Sequence, residues 1–230
     1  MVPRSIAYRE FNRRLVNYHD YANVCTTLTY HHHVYQALHV DRITDPLSEH
    51  GLVLAINAYV RHWGNMTRHL GSSSNIASPM KRALRTYRRT IQNLDRASAR
   101  TESANLEIIS ELFDRICAVR FVLKGKSKRF GPTAAGKLLH MLIPKTCIMW
   151  DKETVRDPWH LKGEGEGYVQ YLSEKWQEFD AIIEDFSMEP SSKGNRVFEV
   201  RTIHSHYLDS IGFKGVSEPI TKLLDEANYR

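Results

Sequence analysis

The residue of this chain best suited to do chemistry is a single carboxylate at the end of an apolar run. Asp151 follows Cys147-Ile148-Met149-Trp150, so it is expected to be partly desolvated and to stand beside an aromatic ring. Ahead of it, Phe130-Gly131 opens a segment of small residues, Pro132-Thr133-Ala134-Ala135-Gly136, that continues to Leu142 and stops at Ile143-Pro144. The pattern predicts a helix over 132–142. Its first N–H groups, with small side chains leaving room for close approach, would form an anion site suited to one phosphate. Aspartate is also a favoured helix N-cap, and Asp151 precedes Lys152 to Arg156, so a purely structural cap is the competing role for it.

Charge points to the partner. The chain has 230 residues and a net charge of +6, unevenly spread. Residues 1–60 are neutral, residues 61–150 carry seventeen Lys and Arg against five Asp and Glu, and residues 151–190 carry four against eleven. A positive field concentrated in one stretch attracts polyanions, nucleic acid first among them. Two runs dominate it. Arg82, Arg85 and Arg89, within Lys81 to Arg89, are spaced to share one helix face and reach successive phosphates. Lys124, Lys126, Lys128 and Arg129 lie in a glycine-broken segment read as a loop or turn. Either run would also serve as a plain solvated face.

The elements that must position these groups read as helices throughout. Asp45-Pro46 is expected to start a helix with Leu47, Leu52, Ile56, Tyr59, Val60 and Trp63 at helical spacing, and Ser78-Pro79 repeats the device before the first basic run. Thr101-Glu102 opens a third segment whose Leu106, Ile109, Leu112, Phe113, Ile116 and Val119 form an apolar stripe. Further helices are predicted at about 5–38, 167–187, 196–210 and 218–228, with loops at 71–75, 124–130, 162–167 and 190–195. The fold class is therefore all-α. One globular unit is expected, with a central lobe over 46–142 and a second lobe made of 1–45 and 143–230, flanking a cleft.

Other chemistries find less support. Cys25, Cys117 and Cys147 are odd in number and far apart, which fits buried free thiols better than disulfides or a metal cluster. His31, His32, His33 and His39 share an apparently helical segment, but consecutive helical positions point about 100° apart and cannot bind one ion together. No metal site and no cofactor are expected. The longest apolar run, Gly51 to Val60, contains Asn57 and is about half the length of a membrane span. The basic first residues, Arg4 to Arg14, have no apolar stretch behind them, so a secretory signal is not expected and the cytoplasm is the default compartment.

Over residues 130–156 the chain resembles the helix-hairpin-helix DNA glycosylase superfamily. That pattern is a hairpin ending in glycine, a helix opening with small residues, a short apolar turn, then an aspartate followed five residues later by an arginine. Here these are Gly131, Ala134-Ala135-Gly136, Asp151 and Arg156. Two positions depart from it: Arg129 stands where the hairpin usually has a second glycine, and Trp150 where a small or aliphatic residue usually precedes the aspartate. The resemblance implies that Asp151 is the catalytic residue. In bifunctional members a lysine nucleophile lies eighteen residues before the aspartate, and that position here is Thr133. The implied enzyme is therefore monofunctional and leaves an abasic site.

Cleaving an N-glycosidic bond builds positive charge on the sugar, which a nearby carboxylate stabilises while it orients or deprotonates water. The base must first rotate out of the duplex into a walled pocket. Trp150, His140, Trp63 and Tyr59, with His62 and Trp159, are the candidate walls; Lys128, Arg129, Gly131, Thr133 and Lys137 are the candidate contacts to the DNA backbone. The expected partner is double-stranded DNA bearing a modified base, bound by a monomer. Resemblance to unusual branches of the superfamily adds the expectation of a bulky pyrimidine, such as a glucosylated phage cytosine, and hence of antiviral defence. The alternatives are a non-catalytic DNA-binding module and an enzyme of the same fold acting on a nucleoside or hypermodified thymine.

Overall fold

The computed structural model describes residues 10–11, 13–14, 47–63, 66–96, 103–151, 160–161, 164–187 and 220–226. In chain order the elements are α1 (Glu49–Leu54), a π-helical segment (Ala55–Trp63), α2 (Thr67–Leu70), α3 (Ser73–Leu84), a 3-10 turn (Arg85–Tyr87), α4 (Arg88–Arg96), α5 (Ser103–Ala118), β1 (Arg120–Leu123), β2 (Lys126–Arg129), α6 (Pro132–Leu142), α7 (Gly165–Ser187) and α8 (Ile220–Glu226). The described residues are thus mostly helical, as expected, with one small sheet. No helix among them is long and apolar enough to cross a membrane.

The sheet corrects the reading of 124–130 as a loop. β1 and β2 pair antiparallel, with Arg120 opposite Arg129, Phe121 opposite Lys128, Val122 opposite Ser127 and Leu123 opposite Lys126. A two-residue turn joins them, Lys124 and Gly125 both at positive φ (51° and 74°), the backbone hand that matches the twist of a tight hairpin. Phe121 is buried and Val122 exposed, the alternation of a ribbon with one covered face. β1 packs on α3.

Helix starts also differ from expectation. α1 begins at Glu49, where the Ser48 hydroxyl accepts the Gly51 N–H at 3.0 Å; Asp45-Pro46, proposed as the start, lies outside the described residues. α3 begins at Ser73 rather than Ser78, so Pro79 sits inside it. An internal proline removes one backbone hydrogen bond and crowds the preceding turn, at about 3 kcal/mol. The offsetting term is burial of Ile76, Ala77, Met80 and Leu84 along one face. α7 starts at Gly165, inside the expected 162–167 loop, because the Asp114 carboxylate of α5 accepts the Gly165 N–H at 2.8 Å. The stretch after Leu54, expected as ordinary helix, is π-helical.

The core is one continuous apolar cluster drawn from Phe11, α1, the π segment, α3 to α8 and the chain around Ile143–Trp150. α6 lies at its centre: all residues from Ala134 to Leu142 are buried, and it packs against α5 and the π segment. Gly136 is what lets Trp150 lie on α6. A Cβ there would meet the Trp150 Cβ at 2.4 Å and its backbone nitrogen at 2.9 Å. Because a backbone atom cannot swing aside as a side chain would, Gly136→Ala is expected to destabilise the fold by about 2–3 kcal/mol, read as a lower urea midpoint with an unchanged denaturant slope.

Candidate active site

Between α6 and the end of the described segment at Asp151, the chain runs through the core without forming a helix or strand. Ile143, Pro144 and all residues from Thr146 to Trp150 are buried. Buried backbone outside regular structure must find hydrogen-bond partners elsewhere, and side chains supply them. Thr221 of α8 donates to the Pro144 carbonyl. The Trp176 indole of α7 donates to the Thr146 carbonyl at 3.1 Å. His140 of α6 bonds the Cys147 carbonyl through Nδ1 at 2.8 Å; since a carbonyl only accepts, that nitrogen carries the proton. Tyr168 of α7 donates to the Ile148 carbonyl at 2.7 Å, and burial pushes its phenol well above the ordinary range, so it stays a donor. Three helices thereby fix the run that ends in Asp151.

Asp151 stands where this run leaves the core. Its side chain keeps 26% of its surface exposed, and its Oδ2 lies 3.9 Å from the Lys137 ammonium, whose side chain is only 10% exposed. Burial pushes the Lys137 amine down, opposed by the charges of Asp151 and Asp225. Lys137 is in the second turn of α6, four residues after Thr133 and hence on the same helix face. Asp151 is therefore within reach of a side chain from the second turn of α6. The start of α6 is set by Gly131, whose φ of 81° suits glycine, followed by Pro132. A partly exposed carboxylate beside a buried ammonium can stabilise a developing cation or hold a water, provided the substrate reaches its open edge.

Comparison with protein-family models, curated proteins and solved structures finds no match. The assignment of chemistry therefore rests on the residues themselves.

The predicted contacts fall into two groups. Arg82, Arg85 and Arg89 are exposed along α3, the 3-10 turn and α4, and Lys128 and Arg129 are exposed on β2. Gly131 and Thr133 are half-buried at the start of α6. The other group is interior. Lys137, expected at the DNA backbone, points inward to Asp151, because α6 buries this face. Trp150, expected as a pocket wall, is fully buried among Phe113, Tyr168 and Tyr171, at ring distances of 5.8–5.9 Å; its indole nitrogen has no partner among the described residues. His140 is fully buried and engaged with the Cys147 carbonyl. The side chains of Tyr59, His62 and Trp63, all of Arg156 and Trp159, and the histidines of 31–39 lie outside the described residues. Cys117 and Cys147 are free thiols, and burial pushes the Cys117 thiol up to about 12.

Four charged residues behind Asp151 escaped sequence reasoning. Lys175 and Glu178 form a buried pair at 2.6 Å on α7, and Lys222 and Asp225 are buried on α8. The charge of Asp225 acts on both Lys137 and Lys175, linking the pair electrostatically to Asp151's partner. Their sequence signal was faint: charged residues three apart on amphipathic helices normally mark a solvated face. A buried pair costs desolvation that its attraction barely offsets, whereas one buried charge without its partner costs far more. Lys175→Met is accordingly expected to destabilise the fold by about 3–5 kcal/mol, and Lys175→Met with Glu178→Leu to return stability to within about 1 kcal/mol of the parent or above it. Urea unfolding of the two variants beside the parent measures both; equal losses in the two would contradict the pairing.

Proposed function

We propose that the chain is a monofunctional DNA glycosylase that hydrolyses the N-glycosidic bond of a modified base turned out of duplex DNA, acting as a cytoplasmic monomer. The reading is carried by one observation: Asp151, at the exit of a buried and hydrogen-bonded run, stays 26% exposed beside the Lys137 ammonium. In the reaction, the C1′–N bond lengthens and positive charge grows on the deoxyribose. The Asp151 carboxylate stabilises that charge and takes a proton from the water that adds to C1′, while the base leaves with its bonding electrons and is protonated. Lys137 acts through Asp151 by holding the carboxylate in place. The exposed cations Arg82, Arg85, Arg89, Lys128 and Arg129 support DNA as the substrate, since phosphate neutralisation supplies most non-specific affinity.

The substrate panel for the test follows from the same reading: duplexes carrying unmodified, deaminated, alkylated and glucosylated bases, with released base identified by mass spectrometry. Asp151→Asn keeps the side chain's size and removes its charge. It is expected to lower base release by about 10²–10⁴-fold with DNA affinity within about twofold of the parent. Release at the parental rate by Asp151→Asn would overturn the role of Asp151. DNA binding without release from any duplex by the parent would make the chain a binding module.

A further inference from the structure

We propose that the β1–β2 ribbon is a groove-reading element for double-stranded DNA, with Val122 as its apolar contact to base edges. This rests on the reading of DNA as substrate and adds the element that engages the duplex.

Within ten residues the ribbon carries Arg120, Lys124, Lys126, Lys128 and Arg129, all of them exposed. None of the five forms an ion pair with a carboxylate among the described residues, in contrast to Arg13, Arg14, Lys81 and Arg115, which do. The chain holds no Asp or Glu at all between Asp114 and Asp151, so nothing nearby in sequence neutralises the ribbon. Its register sharpens the point. Arg120 is directly opposite Arg129, and residues directly opposite share one face of a sheet. Like charges so placed repel, and a solvated pair that only cost stability would gain nothing from that position. A polyanion lying along this face removes the repulsion.

The same face carries the second clue. Phe121 and Leu123 point to the other side, where Phe121 is buried and Leu123 packs on the core, and a Cβ on Gly71 would touch Leu123. Arg120, Val122, Ser127 and Arg129 therefore form the outward face. Val122 is 61% exposed and is the one large hydrophobic residue that is exposed among the described residues. An apolar side chain flanked on its own face by Arg120 and Arg129 does not suit an acidic peptide, which would leave Val122 without an apolar counterpart. It does suit a nucleic acid groove, where phosphates flank the rim and base edges, including thymine methyls, line the floor. A two-stranded ribbon is also of a width that the major groove admits. β1 packs on α3, the helix that leads into Arg82, Arg85 and Arg89, so the ribbon is braced by the element that starts the other basic run.

The test compares full-length variants in salt titrations of duplex binding by fluorescence anisotropy. In the neutral ribbon, Arg120→Gln, Lys126→Gln, Lys128→Gln and Arg129→Gln are combined with Lys124→Asn, asparagine being tolerant of positive φ. Each lost phosphate contact lowers the log–log salt slope by about 0.9, so with Arg120 and Arg129 on the outward face and Lys124 at the turn the slope is expected to fall by about 2–3. A charge-conserving ribbon, with Arg120→Lys, Lys126→Arg, Lys128→Arg and Arg129→Lys, is expected to keep the parental slope, which separates lost charge from lost folding. Val122→Ser is expected to weaken duplex binding about tenfold with the slope unchanged. A parental slope in the neutral ribbon, or parental affinity in Val122→Ser, overturns the ribbon while leaving DNA as substrate intact. Absence of salt-dependent duplex binding by the parent overturns both, and tighter binding of single strands than of duplex by the parent overturns the groove.

Discussion

The structure depends on donors reaching the carbonyls of a buried, non-helical strand of chain. From Ile143 to Trp150 the backbone crosses the core with no ladder of its own, and the Pro144, Thr146, Cys147 and Ile148 carbonyls are each met by a side chain from α6, α7 or α8. An unmet buried carbonyl costs about 1–3 kcal/mol, so these bonds select one arrangement of three helices around the segment. They also explain why aromatic and imidazole groups are buried here. Trp176 and Tyr168 fill space with their rings and direct their single polar atom to the segment, and His140 does so with Nδ1. The consequence is that the backbone leading to Asp151 is positioned by bonds from three helices.

Behind that segment the protein accepts charge in its interior. Lys137, Lys175, Glu178, Lys222 and Asp225 are all buried, which hydrophobic burial alone would disfavour. Their arrangement explains the tolerance: Lys175 faces Glu178 directly, and Asp225 acts on both Lys175 and Lys137. Such a group contributes little net stability compared with an apolar replacement. What it does provide is an ammonium beside Asp151, because the buried Lys137 feels the charges of both Asp151 and Asp225.

The parts of this molecule legible in the sequence are those governed by local rules. α6 spans 132–142 as predicted, because proline after glycine marks its start and Ile143-Pro144 its end. Most of the stripe read over α5 is likewise buried, Ile109, Leu112, Phe113 and Ile116 on the helix and Val119 just past its end, while Leu106 is half-buried. Where distant contacts decide, local rules fail. Pro79 is a plausible first-turn residue, yet burial of Ile76 and Ala77 extends α3 back to Ser73. The start of α7 depends on Asp114, 51 residues away. The ribbon was hidden by its own cations, since Lys-Gly-Lys-Ser-Lys-Arg has low strand propensity and gains its pairing only from β1. The same limit applies to the site. Asp151 could be singled out from its neighbours in sequence, but that Lys137 turns inward, that Trp150 belongs to the aromatic core, and that α7 and α8 supply buried charge are properties of packing.

Charge segregation connects the site with the surface. A carboxylate near a bound polyanion is repelled by the phosphates unless its charge is masked, and at a separation of a few ångströms in a partly desolvated setting that repulsion is worth several kcal/mol. Asp151 ends an acid-free stretch that begins after Asp114, so it is the first negative charge beyond the cationic ribbon. Setting the Lys137 ammonium 3.9 Å from Oδ2 offsets part of that charge, while 26% of the Asp151 side chain stays exposed. Under the proposed function the exposed cations of the ribbon and of 81–89 would attract a duplex at long range and the carboxylate would act at contact. On the proposed function, which asks the protein to draw in a phosphate backbone and then stabilise a cation on one of its sugars, separation by distance would reconcile two demands of opposite sign.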